Sequence, residues 1–175
     1  MVLSAAGFMI DYAFREKLEY NGFSFSQTEQ GFVTKVAGRK IAFNYFPSSL
    51  EPINISTEAI DEIKSAKMIG ISYDPKSYLV EGMAQLQFYL DTTLPEMFDI
   101  FVQKGLTDSM GYELPELSCE NATAAMPVIV FGETAENETA GTSYEDSCLV
   151  FKAGNEQELV MQAERLVYGL AGIMK

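Results

Sequence analysis

The sequence contains no histidine. That absence removes the usual general base near neutral pH, the usual partner of a serine or cysteine nucleophile, and the commonest transition-metal ligand. Cysteine is scarce too. Cys119 and Cys148 are the only two, too few for a structural zinc site. Hard-cation sites built from carboxylate and carbonyl oxygens stay open. Basic residues are few: 12 Lys and Arg face 25 Asp and Glu, a formal net charge of −13. This argues against a nucleic-acid partner and against charge-driven binding to anionic lipid. No apolar run is long enough to span a bilayer. The glycine-rich phosphate loops and the Gly-x-Ser-x-Gly elbow are absent as well. No cofactor is implied, and the sequence is read as more in keeping with a non-enzyme than an enzyme.

What is present is ordinary for a globular fold. The 175 residues are 47% hydrophobic, 12% aromatic and 21% charged, enough for one domain over 1–175 with a sizeable core. The start, "MVLSAAGFMIDYAFREK", is apolar for its first ten residues but lacks a basic n-region and a full h-region, so it does not read as an intact signal peptide. Two readings stay open. It is the stub of a removed anchor, with Met1 supplied by an expression vector, or an amphipathic helix with Leu3, Phe8 (or Ile10), Phe14 and Leu18 on one face.

Residues 18–46 read as an antiparallel meander. Asn21-Gly22 suits a type I′ turn, or else a bulge, and Ala37-Gly38 offers a second turn before the alternating Ile41, Phe43 and Tyr45. Pro47 and Pro52 end the run. Thr57 is the expected cap of a short helix carrying Ile60 and Ile63. "MIGISY" at 68–73 reads as a buried strand. Ser77 is the expected cap of a longer helix with Leu79, Met83, Leu86 and Leu90 in one stripe, and Pro95 is expected to stop it. "EMFDIFVQKG" is strand or helix; its periodicity does not decide. Residues 104–118 read as loop. "PVIVF" and "CLVF" read as strands around a polar loop. Asn155 with Glu158 starts a final helix with Leu159, Ala163, Leu166, Val167 and Leu170 on one face. The expected fold is α+β or α/β in a single domain: N-terminal antiparallel hairpins, then alternating strands and helices on a mixed sheet over 57–172, and a C-terminal helix.

Cys119 and Cys148 stand 29 positions apart, each just outside an apolar strand-like run. From the residues alone they are either a disulfide or two buried, incidental thiols. Three acceptor triplets for N-glycosylation occur, at Asn54, Asn121 and Asn137. "CENATAAMPVIVFGE", "CLVFKAGNEQELVMQAERLVYGLAGIM" and "YNGFSF" resemble segments of uncharacterised archaeal proteins anchored outside the cytoplasmic membrane. In that group a Cys-x-Asn-Ala-Thr segment precedes a Pro-Val-Ile strand, a second cysteine opens the next strand, and the last helix ends in a Tyr-Gly-x-x-Gly-Ile-Met-like motif. The resemblance covers about half the chain. It implies a Cys119–Cys148 bridge, an extracytoplasmic home and an N-terminal anchor that this chain lacks. It implies no activity.

Candidate chemistry is sparse. The acidic groups are Asp61/Glu62, Glu113/Glu116/Glu120 and the 133–146 loop. That loop lacks the ligand spacing of an EF-hand. Asp74, after a buried strand and before a helix, occupies the place where α/β folds put functional groups, with Tyr73 and Tyr78 beside it. The function these features favour is a non-catalytic surface or assembly module outside the cytoplasm, with a protein partner or self-assembly at the cell surface. The alternatives are a small-ligand or calcium-binding module, a carboxylate-based enzyme, and a cytosolic subunit of a complex.

Overall fold

The computed structural model describes residues 17–109, 111–135 and 138–175. The N-terminal stub or helix falls outside the described residues, except Leu18. That residue lies in a strand, where it pairs with Phe25.

The first unit is a four-stranded antiparallel sheet in chain order: β1 (Lys17–Tyr20), β2 (Phe23–Thr28), β3 (Gly31–Val36) and β4 (Arg39–Phe43). Its first and last turns are the two expected ones. Asn21 and Gly22 have φ of 47° and 83°, and Ala37 and Gly38 have 49° and 84°. Positive φ at both central residues is the type I′ geometry that matches strand twist, so Asn21-Gly22 is a turn and not a bulge.

The second unit follows a 3-10 turn at Pro47–Leu50 and comprises α1 (Thr57–Ser65), β5 (Met68–Tyr73), α2 (Val80–Phe98), β6 (Phe101–Lys104), β7 (Val128–Glu133), β8 (Gly141–Glu145), β9 (Cys148–Ala153) and α3 (Glu156–Leu170). Its sheet has the order β6-β5-β7-β9-β8. Strands β6, β5, β7 and β9 are parallel, and β8 joins β9 antiparallel. The fold is therefore mixed α+β: an antiparallel sheet, a mixed sheet and a C-terminal helix.

Several boundaries differ from expectation. Ser56, not Thr57, caps α1: it stays extended and its Oγ accepts from Ala59 N at 3.1 Å. Ser77 lies three residues before α2 begins. Its Oγ accepts from Leu79 N, and its hydroxyl proton goes to Glu133 instead of serving a helix end. Pro95 does not stop α2, which runs one turn further to Phe98. A proline this near the end disturbs only the preceding turn, and Asp99 in the left-handed region closes the helix, donating its N–H to Pro95 O. Residues 96–104 are neither one strand nor one helix but the end of α2 followed by β6. The polar loop after β7 contains a strand, β8. Asn155 caps α3 as expected, accepting from Glu158 N at 3.0 Å. The Glu158 carboxylate reaches back one residue further than a capping box does, to Gly154 N at 2.8 Å.

The two faces of the five-stranded sheet differ. On one, Ile69, Ile71, Ile129, Phe131, Leu149 and Phe151 are buried in the main core with the residues of the three helices. On the other, the buried set is Leu117, Val128 and Cys148, with Ala122, Met126, Val130 and Val150 half-buried around it. Residues 105–127 supply the cover there, and Gly70 and Gly105 permit the approach. A Cβ at either would lie 2.6 Å from Leu117, closer than real carbon contacts allow.

Helix α3 is enclosed. Every residue from Gln162 to Leu170 is buried. Its apolar stripe meets the five-stranded sheet, as expected. Its other side meets the four-stranded sheet, where Tyr168 stacks on Phe43 at 3.8 Å and tilts against Phe25 at 6.2 Å. Such aromatic contacts add about 0.5–1.5 kcal/mol beyond the area they bury.

Candidate functional site

Three places concentrate polar side chains: the carboxyl end of the five-stranded sheet, the disulfide corner, and a pocket between α2 and α3.

The carboxyl end contains the topological switch point. From β5 the chain moves to β6 on one side, whereas β7 lies on the other, and α/β sheets bind ligands in the crevice this creates. Tyr73 and Asp74 are there, as the sequence placed them. The crevice, however, is occupied by the protein's own carboxylate. Glu133, the last residue of β7, accepts from Ser77 Oγ at 2.6 Å and from Tyr78 N at 3.2 Å. Asp74 turns inward on its own loop, where Oδ1 accepts from Lys76 N at 2.8 Å. Lys76 pairs with Asp108 at 2.7 Å. The Tyr73 ring is buried, and burial, with the Tyr112 phenol beside it, raises its pKa. Tyr78 is 65% exposed and its hydroxyl donates to Gly154 O at 3.3 Å. The sequence marked Ser77 only as a helix cap and Glu133 only as one of the loop acids, because nothing local marks a carboxylate at a strand end as the partner of a serine 56 positions earlier.

At the disulfide corner, Cys119 opens a 3-10 turn, Cys119–Asn121, and Cys148 is the first residue of β9. Their sulfurs are bonded and their Cα atoms lie 5.3 Å apart. Cys148 is buried and Cys119 exposed. The bridge fastens the 105–127 segment to the sheet it covers. Asn121 is exposed, and its Oδ1 accepts from Ser118 N at 2.8 Å. Asn54 is also exposed, on the loop before α1, and its carbonyl accepts from the Thr142 hydroxyl. Asn137 lies outside the described residues.

Three of the acidic side chains are engaged in contacts within the protein. Glu62 accepts from the Tyr144 hydroxyl, Glu116 from Ser109, and Glu138 from Lys152 and Ala135 N. The Lys152 contact holds the Glu138 carboxyl below its ordinary pKa. No group of three Asp, Glu or Cys side chains is arranged to hold a metal ion among the described residues.

The pocket between α2 and α3 has a volume of about 240 Å³. Its floor is Glu164, which is 2% exposed. Oε1 accepts from Asn44 N and Asn44 Nδ2, both at 2.7 Å, and Oε2 accepts from Tyr45 N at 3.0 Å. These bonds tie α3 to the end of β4. Burial raises the pKa of Glu164, and the three N–H donors work against that shift. Tyr89 contributes a buried hydroxyl with no hydrogen-bond partner. Thr93, one turn on, lies near enough to act on that hydroxyl, but without normal hydrogen-bond geometry. Burial, then the Glu164 charge, raises the Tyr89 pKa far above the usual phenol range. Nothing in the sequence marked this pocket, since its residues come from α2, α3 and the position after β4, far apart in the chain.

No family model, no curated protein and no solved structure matches the chain.

Proposed function

We propose that the chain is a non-catalytic surface or assembly module that works outside the reducing cytosol. The observation that carries this reading is the Cys119–Cys148 bridge. Disulfides persist in oxidising compartments and are rare where glutathione and thioredoxin act. The exposed acceptor asparagines Asn54 and Asn121 suit the same setting, as does the likeness to archaeal proteins anchored outside the membrane. Anchoring by a segment before residue 1 belongs to this proposal; no helix of the described residues is long and apolar enough to cross a membrane. Assembly is supported by the large apolar side chains left at the surface. Phe101 and Met68, register partners on β6 and β5, are 65% and 41% exposed, and Phe88 on α2 is 69% exposed.

The test is the thiol state in native cells. Thiols are blocked at lysis, and the mass of the unfolded protein is measured before and after reduction. Two further alkyl groups added only after reduction are expected. Two groups added at lysis in most molecules would place the protein in a reducing compartment and overturn the proposal.

A small-ligand module is the second reading, favoured by the pocket between α2 and α3.

A further inference from the structure

We infer that Asn121 is a modification site whose side-chain nitrogen carries an N-linked glycan. This deepens the surface-module reading and rests on it, because such sugars are added to exported chains.

Three observations select this asparagine. The first is how its amide is used. Asn121 is exposed, and its Oδ1 accepts from Ser118 N at 2.8 Å. A backbone N–H only donates, so the amide oxygen must face it, and this fixes which end of the amide points where. Nδ2 donates to no protein group among the described residues. The fold uses the oxygen of Asn121 and leaves the nitrogen uncommitted. An N-linked sugar replaces one amide hydrogen and keeps the carbonyl, so the turn at Cys119–Asn121 survives the modification. The second is the setting of the acceptor triplet, Asn121-Ala122-Thr123. Thr123 is exposed as well. The backbone bonds of the triplet stay within 118–126: Asn121 N to Ser118 O, Ala122 N to Cys119 O, Thr123 N to Met126 O and Met126 N to Thr123 O. Lifting this segment breaks no hydrogen bond to β1–β9 or α1–α3. The third is the contrast with Asn54. There the middle residue, Ile55, is buried in the main core. Asn54 O accepts from the Thr142 hydroxyl on β8, Ser56 Oγ caps α1, and the preceding Ile53 O accepts from Arg165 Nε on α3. Drawing out that triplet would uncap a helix and expose a core side chain, so the fold withholds Asn54 and offers Asn121.

The transfer is a substitution at carbon. Asn121 Nδ2 bonds to the anomeric carbon of a lipid-phosphate-linked oligosaccharide. The bond from that carbon to the phosphate oxygen breaks, and the lipid phosphate leaves with the electron pair. One amide proton is released to solvent, and no oxidant or reductant is needed. The glycan, bulky and polar, lies two residues from Cys119, on the segment that the bridge fastens to the sheet.

The test uses protein from native cells with thiols blocked at lysis, so that one preparation reports both the bridge and the sugar. After reduction, cleavage following glutamate leaves Asn121 in a peptide ending at Glu133 and Asn54 in one ending at Glu58, with no second acceptor in either. The Asn121 peptide is expected to carry excess mass equal to a set of sugar residues, and the Asn54 peptide its bare mass. Asn121→Asp keeps an oxygen for Ser118 N and lacks the amide. In the same cells it is expected to fold, keep the bridge and lose the excess mass. A bare Asn121 peptide from bridged protein would overturn this inference alone. A bare peptide from protein with two free thiols would overturn the surface-module reading along with it. Excess mass that persists on this peptide in Asn121→Asp would put the sugar on another residue and overturn the inference too.

Discussion

The two faces of the five-stranded sheet solve one problem by different means. Toward the helices, β5, β7 and β9 bury seven large side chains, Ile69, Ile71, Tyr73, Ile129, Phe131, Leu149 and Phe151, in the main core. At roughly 25 cal/mol per Å² of apolar surface removed from water, such a face holds its own cover. The opposite face buries Leu117, Val128 and Cys148, and the described part of its cover has only a three-residue 3-10 turn and two isolated β-bridges to stiffen it. Hydrophobic contact is thin there, and a covalent bond stands in. The difference teaches where the disulfide matters. It closes a separation of 29 residues, which in the loop-entropy description is worth about 3.5 kcal/mol. That is more than so small a cluster supplies after the ordering cost of its own chain.

The comparison can be broken from either side. Replacing both cysteines by alanine is expected to have the largest effect, lowering unfolding free energy by about 3.5 kcal/mol in denaturant titration. Cavities or strain on the helix face would not reproduce its loss of order in residues 105–127 alone.

Gly105→Ala attacks the same face without touching the bridge. Its Cβ would lie 2.6 Å from Leu117 Cβ and 2.9 Å from Pro115 O. Overpacking of this kind costs about 1–3 kcal/mol, and the shift should disappear when the segment is already released by reduction.

On the helix side, Glu164→Gln should cost about 1–3 kcal/mol, because one amide group cannot accept from Asn44 N, Asn44 Nδ2 and Tyr45 N together. The pH dependence has a definite sign. Burial raises the folded pKa of Glu164, so the folded state holds this proton more tightly than the unfolded chain. Its contribution is full below the ordinary carboxylate pKa and is lost as pH rises through the raised value. The gap between wild type and Glu164→Gln should therefore be widest in acid and narrow toward neutrality, read from paired unfolding curves. A gap that widens with rising pH would contradict the sign.

The smallest effect concerns a turn remote from both faces. Ala37 has φ of 49°, a conformation costly for a residue with a Cβ and no polar side chain. Ala37→Asn, which recreates the Asn-Gly pair of the first hairpin, should raise stability by about 1 kcal/mol.

What was legible in the sequence follows from how local each cause is. Asn21-Gly22 and Ala37-Gly38 announced their turns because glycine at positive φ leaves a mark two residues long. The β8–β9 turn left none. It is made by Asp146 and Ser147 at φ of 48° and 65°, with no glycine between them, and it joins a strand, "GTSYE", whose residues are polar or small because it forms an edge. Helix α3 was legible on one side only. Leu159, Ala163, Leu166, Val167 and Leu170 reported the sheet beneath. Gln162, Glu164 and Arg165 lie off that stripe, yet all three are buried: Gln162 reaches Gly141 O and Lys152 O, Arg165 reaches Ile53 O and Lys175 O, and Glu164 meets the residues after β4. The buried carboxylate and its pocket were hidden for that reason. Asp74 shows the converse. Its position at a strand end was read correctly, but the occupant of the crevice, Glu133, comes from another strand.

The account's central claim is that the bridge holds one face of the sheet and the core holds the other. Native-state hydrogen exchange before and after reduction tests it most directly. The account predicts that reduction removes protection from amides bonded within the covering segment, such as Leu106 and Leu117, while β5, β7 and α3 keep theirs. Equal loss of protection in the helix-covered core, or no loss at Leu106 and Leu117, would contradict it.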